Sequence, residues 1–251
     1  MSSGVSSVAR YERYALIFAP GQSRLGSEAL GLVERGIDPL YASDVDEAHL
    51  LALQESGRVG ALVLPGDLPL PAIDALIDRI SPQLWAGPAA IVVIGPPNDR
   101  ELLRALRDRS LSWVLRDPYD AAEFRFVVSA ALSTEDKLEA RSGLRVPIAQ
   151  AVRVTSASRE QEGSIRNLSI GGAYVALDAP PPPGERILLA AQLGEVGFSP
   201  EAVVVYNQTP GTTGRAAERE SGMGVAFRNL DDHARTALAV FVEERVRCFR
   251  L

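Results

Sequence analysis

Near residue 140 the hydrophobic pattern of this 251-residue chain changes character, and no single layer architecture serves both sides of the change. Before it, continuous runs rich in Val, Ile and Leu occur at 14–19, 59–64, 89–94 and 112–115, with a weaker candidate near Leu40. Unbroken apolar runs suit strands buried on both faces of a parallel sheet. Helix punctuation lies between them. Ser43, with Asp46 three residues on and Gly57 behind, brackets a helix over 44–56, and Asn98 opens another over 99–109. A third is expected from Tyr119 to about Glu139. Parallel neighbours need crossover connections, so this alternation predicts an α/β doubly wound parallel sheet with helices on both faces.

After the change, short strand candidates at 148–155, 164–168, 173–177, 186–193, 202–207 and 223–227 are separated by Gly, Pro and polar turns. Such spacing fits a barrel or sandwich, and the expectation is a six-stranded antiparallel β-barrel. Pro180 to Pro183 with Gly184 read as a connection, and 210–221 as a polar loop. The chain closes on a helix opened by Asp231 and Asp232. Its apolar stripe of Leu238, Phe241, Val242, Val246 and Phe249 is expected to pack on the barrel or on a partner subunit. The predicted organisation is a disordered tail at 1–12, a first domain at 13–138 and a second at 139–251.

Composition narrows the function. The chain holds 26 basic and 32 acidic residues, a net charge of -6, which disfavours a nucleic-acid polymer as partner. Residues 1–138 carry the whole excess, since 139–251 hold 13 charges of each sign. A lone Cys248 and two histidines, His49 and His233, exclude an internal disulfide and argue against a zinc site. No metal or cofactor is expected, and no acid/base pair or triad points to an enzyme. The uncharged run at 84–98 is broken by Gly and Pro and falls short of the ~20 apolar residues a spanning helix needs. With no signal-like start, the expectation is a cytoplasmic protein without membrane insertion.

In order and size the first half resembles a response-regulator receiver domain. That family places an acidic pair after the first strand, a phosphoacceptor Asp after the third, a Ser or Thr after the fourth and a Lys before a Pro after the fifth. This chain has Ala19 and Pro20, then Pro65, then Gly95, then Asp117 before Pro118. Without the acids there is no magnesium cradle and no nucleophile, so the expectation is a pseudo-receiver that takes no phosphate. Asp67 reads as part of a turn. By analogy, such scaffolds self-associate through exposed helices and edge strands, which leaves a homodimer open.

In the second half two local features stand out. Arg141-Ser142-Gly143-Leu144-Arg145 precedes the first strand, and Asn167-Leu168-Ser169-Ile170-Gly171-Gly172 links the second and third. Together they resemble the RxxxR and (D/N)xSxxG motifs of PilZ domains, bacterial receptors for cyclic di-GMP. The chemistry fits such a ligand on its own terms: two phosphodiesters and two guanine edges suit the parallel donors of arginine. Asn167 can donate and accept at a base edge, Ser169 offers a hydroxyl to phosphate or backbone, and Gly171 and Gly172 let a ligand approach the main chain. The resemblance implies that Arg141 and Arg145 take phosphate and guanine, with Asn167 and Ser169 completing the pocket. Arg153 and Arg166 read as ordinary exposed strand residues, although either could add positive potential near the site.

The resemblance thus implies a non-enzymatic cyclic di-GMP effector. Ligand binding at the domain junction would alter contacts with an unidentified protein partner, with motility, surface attachment or polysaccharide production as the output. The alternative is a ligand-free adaptor that binds protein only.

Overall fold

The computed structural model describes residues 13–21, 25–33, 37–83, 90–95, 104, 113–133, 144–157, 159–209 and 220–250. The predicted tail, Arg141, and nearly all of the helix over 99–109 and of the loop over 210–221 lie outside them. The chain divides into two compact units, Met1–Glu135 with Phe249–Leu251, and Asp136–Cys248.

In the first unit, strands β1 (Tyr14–Phe18), β2 (Leu40–Ala42), β3 (Val59–Pro65), β4 (Ala90–Ile94) and β5 (Trp113–Leu115) form one sheet in the order β2-β1-β3-β4-β5. All four pairings are parallel. This is a doubly wound, receiver-like order, and it follows from buried apolar strands joined by helical crossovers. Helices α1 (Leu25–Val33), α2 (Val45–Gln54), α3 (Leu70–Ile80) and α4 (Ala121–Leu132) supply the layers. One core holds Leu16, Phe18, Leu62, Leu64 and Val93 with Ala48 and Ala52 of α2 and Ile73, Leu76 and Ile80 of α3. On the other side α4 packs on β3, β4 and β5.

Two helix ends differ from the sequence reading. The N-cap of α2 is Asp44, whose carboxylate accepts from Glu47 N at 2.8 Å, while Ser43 donates its amide and hydroxyl to the Glu47 carboxylate. The cap thus lies one residue later than expected. Helix α4 opens on a full capping box between Asp120 and Glu123 but stops at Leu132, short of Glu139. Ser133 turns extended there, with ψ 141°, and its hydroxyl donates back to Ser129 O at 2.9 Å, a local alternative to another helical turn.

Where receiver chemistry would sit, the strand ends close up. Gly66, after β3, donates its amide to Ile94 O at 2.6 Å, and a Cβ on Gly66 would lie 3.1 Å from Gly95 O. Gly95 itself has φ 97°, a conformation that a side chain disfavours.

The second unit is antiparallel. Strands β6 (Val146–Thr155), β7 (Glu160–Ser169), β8 (Gly172–Ala176), β9 (Arg186–Leu193), β11 (Glu201–Gln208) and β12 (Gly222–Arg228) run around a ring in the order β6-β7-β8-β12-β11-β9, which the pairing of β9 with β6 closes. A short strand not foreseen, β10 (Val196–Phe198), folds back on the end of β9. The barrel interior is filled by alternate residues, among them Val152, Val154, Ile165, Leu168, Val175, Leu189, Val204, Met223 and Val225. Phe198 meets Phe227 edge to face at 5.3 Å.

Helix α5 (Asp232–Arg247) lies on β6 and β7 through buried Leu238 and Val242. Arg245 Nε donates to Pro147 O at 3.0 Å. The expected apolar stripe is shorter than predicted. Phe249 lies beyond the helix and belongs to the first unit, where its carbonyl accepts from Val114 N at 2.9 Å and its ring sits 5.2 Å from that of Phe126.

Candidate ligand site on the barrel wall

The (D/N)xSxxG segment is a tight hairpin rather than an open loop. Asn167 and Ser169 end β7, Ile170 and Gly171 make the turn, and Gly172 begins β8, with Ser169 registered on Gly172 and Asn167 on Tyr174. Leu168, fully buried, points into the barrel, so Asn167 and Ser169 lie on its outer wall. Ser169 is nevertheless only 3% exposed, and its hydroxyl donates to Gly172 O at 3.0 Å, tying the hairpin together.

The two glycines do different work. A Cβ on Gly172 would come within 2.1 Å of Val225 O on β12, so the close approach of β8 and β12 requires glycine there. Gly171 is exposed, with nothing within 4 Å of a would-be Cβ, and its carbonyl accepts from Phe227 N at 3.0 Å. Gly171 leaves main chain open to a ligand; Gly172 does not.

Arg145 is exposed and immediately precedes β6, whose first registered pair is Val146 with Leu168. Arg145 directly precedes this pair, so the second motif arginine comes where the chain enters the strand that runs along the hairpin motif. Asn167 has a telling feature. Its Oδ1 is buried and has no hydrogen-bond partner among the described residues. A buried acceptor left without a donor costs about 1 to 3 kcal/mol, and a ligand that supplies a donor recovers it.

Arg166, which reads in the sequence as an exposed strand residue able to add positive potential, belongs to the same wall. Ile165 and Leu168 both point inward although they are three residues apart, and the ladder shifts between Ile165 and Asn167. A β-bulge at Arg166 accounts for this, and it leaves Arg166 and Asn167 on one outer face. The signal was in the sequence as an odd spacing between apolar positions. The Arg166 guanidinium forks onto the Glu220 carboxylate, Nε to Oε2 at 2.8 Å and Nη2 to Oε1. Tyr174 donates its hydroxyl to Glu220 O at 2.9 Å. Burial first, then the nearby Tyr206 and Glu220, pushes the Tyr174 hydroxyl above its usual range.

Among the described residues no three His, Cys, Asp or Glu side chains come together as a metal site, and no helix is long and apolar enough to cross a membrane. Fold and site together define a small antiparallel barrel with a motif hairpin on its outer wall and an arginine beside it, preceded by a receiver-like unit. Residues 139–244 match the family described as PilZ domain, and this part of the chain is a PilZ domain.

No curated protein matches the chain. Among solved structures, it is similar to the Bacillus subtilis inhibitor of motility MotI/DgrA, with 19% identity over 43% of this chain and 52% of that one, at TM-score 0.37. The chain thus spans about half the length of that structure. The PilZ domain with c-di-GMP of YcgR from Escherichia coli shares 16% identity over 43% of this chain and 92% of that one, at TM-score 0.36. The receiver domain of the hybrid histidine kinase CckA shares 19% identity over 48% of this chain and 99% of that one, at TM-score 0.37.

Proposed function

We propose that the PilZ unit binds cyclic di-GMP on the barrel wall beside the Asn167–Gly172 hairpin, and that the chain is a non-enzymatic effector. The observation that carries this reading is the Asn167 acceptor, buried without a donor among the described residues, on the strand that pairs with the start of β6. Guanine carries an amino donor as well as the O6 and N7 acceptors that an arginine meets bidentately. In this reading Arg145 and Arg141 clamp phosphate or the guanine edge, Asn167 accepts from the base, and Gly171 lets the ligand reach main chain. Ser169 acts indirectly, by holding the hairpin shape.

Arg141 and Arg145 flank the passage from the receiver-like unit to the barrel, so pinning them on a ligand restricts the segment that joins the two. That restriction is the proposed signal, read out as a changed protein-binding surface, with motility, attachment or polysaccharide production as the process served. The receiver-like unit is a scaffold in this account and takes no phosphate.

Calorimetric titration of the full chain with cyclic di-GMP tests the reading. Each of Arg141→Ala and Arg145→Ala should weaken binding about 10- to 100-fold, the worth of a charge-assisted hydrogen bond. Absence of binding by the wild type at micromolar ligand refutes the receptor assignment and favours an adaptor that binds protein alone, and equal binding by all three proteins refutes the arginine clamp.

A further inference from the structure

The outer wall carries a continuous row of registered residues across five strands. Pro147 of β6 pairs with Asn167 of β7, Asn167 with Tyr174 of β8, Tyr174 with Gly224 of β12, and Gly224 with Tyr206 of β11. At ~4.8 Å per strand, Asn167 and Tyr206 stand about 14 Å apart, the breadth of a dinucleotide. Between them stand Tyr174 and Gly224. A Cβ on Gly224 would lie 2.1 Å from Tyr206 Cε1, so the tyrosine ring occupies the side-chain space that glycine leaves. Tyr206 remains 42% exposed.

Arg166, turned outward by the bulge, stands at the edge of this row beside Asn167 and is already engaged by an anion. Glu220 presents both carboxylate oxygens to two guanidinium nitrogens, the geometry by which arginine binds a phosphodiester. Its main-chain carbonyl is held by the Tyr174 hydroxyl and by Gln208 Nε2 at 3.4 Å, so the carboxylate is positioned rather than adrift. Simple surface pairing explains the charges but not a bulge that breaks the strand's alternation to bring Arg166 onto the motif face.

We infer that Arg166 is a third ligand-binding guanidinium, and that the Glu220 carboxylate occupies it in the free protein as an internal substitute for a ligand phosphate. The inference rests on the proposed dinucleotide site and adds what sets its affinity: the incoming anion must displace Glu220. Removing the competitor should therefore tighten binding, an outcome that damage to the fold does not produce.

The test is calorimetric titration of the full chain with cyclic di-GMP, using Glu220→Ala, Arg166→Ala and the double variant. Arg166→Ala should bind about tenfold more weakly than the wild type. Glu220→Ala should bind about two- to fivefold more tightly, the worth of a half-exposed ion pair. The double variant should match Arg166→Ala, because Glu220 acts only through Arg166. If Arg166→Ala unfolds, Arg166→Lys serves in its place, since it keeps the charge but loses the fork, and it should still bind several-fold more weakly. Micromolar binding by the wild type with unchanged affinity in Glu220→Ala and Arg166→Ala overturns this inference alone and leaves the receptor reading standing. No binding by the wild type or by Glu220→Ala overturns both.

Discussion

Replacing each glycine of the hairpin by alanine separates what the motif does for the fold from what it does for a ligand. At Gly172 the new methyl would lie 2.1 Å from Val225 O, against a floor of about 3.0 Å for real contacts, so the backbones of β8 and β12 must part by nearly an ångström. Both sides of the clash are main chain, so no rotamer change relieves it. An ångström exceeds the width of the hydrogen-bond distance range, so the local ladder opens. One or two net hydrogen bonds at about 1 kcal/mol each, added to overpacking at about 1 to 3 kcal/mol, put the cost near 3 kcal/mol. For a domain of this size that lowers the melting temperature by roughly 10 to 20 °C. At Gly171 the methyl meets nothing within 4 Å, so Gly171→Ala should leave stability within about 0.5 kcal/mol while weakening the dinucleotide that approaches there. Thermal unfolding followed by circular dichroism, paired with ligand titration, reads both. A Gly172→Ala protein that melts with the wild type refutes the argument from strand spacing, and a Gly171→Ala protein that binds undiminished removes main-chain approach from the site.

Two further expectations concern other parts of the molecule. Phe249 is 4% exposed and packs on Phe126, so Phe249→Ala should destabilise the first unit by about 3 kcal/mol and expose the Val114 amide to hydrogen exchange; unchanged protection would show that the C-terminal contact is ornamental. Tyr174 holds its proton more tightly folded than unfolded. Its contribution is therefore whole below its unfolded value of 10.0 and declines as pH rises toward the raised folded value. Urea unfolding across that alkaline window should show a fall in stability that Tyr174→Phe flattens, and an equal fall in the variant would assign it elsewhere.

The course of the chain was legible where a physical period governs it. Buried runs such as Val59–Pro65 announced the parallel sheet, and alternation announced the barrel. What escaped depended on local competition or on pairing between distant segments. Ser133 ends α4 early because its hydroxyl offers the backbone another partner. Arg166 read as an exposed strand residue because its role depends on a bulge, and its Glu220 partner lies 54 residues away. The reason for Gly172 is a carbonyl on β12, which no local pattern reveals. For the same reason the hydrogen bond from the Ser169 hydroxyl to Gly172 O emerges only once the hairpin geometry is known.

Asn167→Leu tests the central claim most directly. Leucine removes the buried acceptor that lacks a donor, so the free protein should be at least as stable as the wild type, by up to about 1 kcal/mol. The same change should weaken cyclic di-GMP binding by at least tenfold, because the base loses its acceptor. Stability retained with affinity lost is the predicted result; a leucine variant that binds as tightly as the wild type contradicts the account.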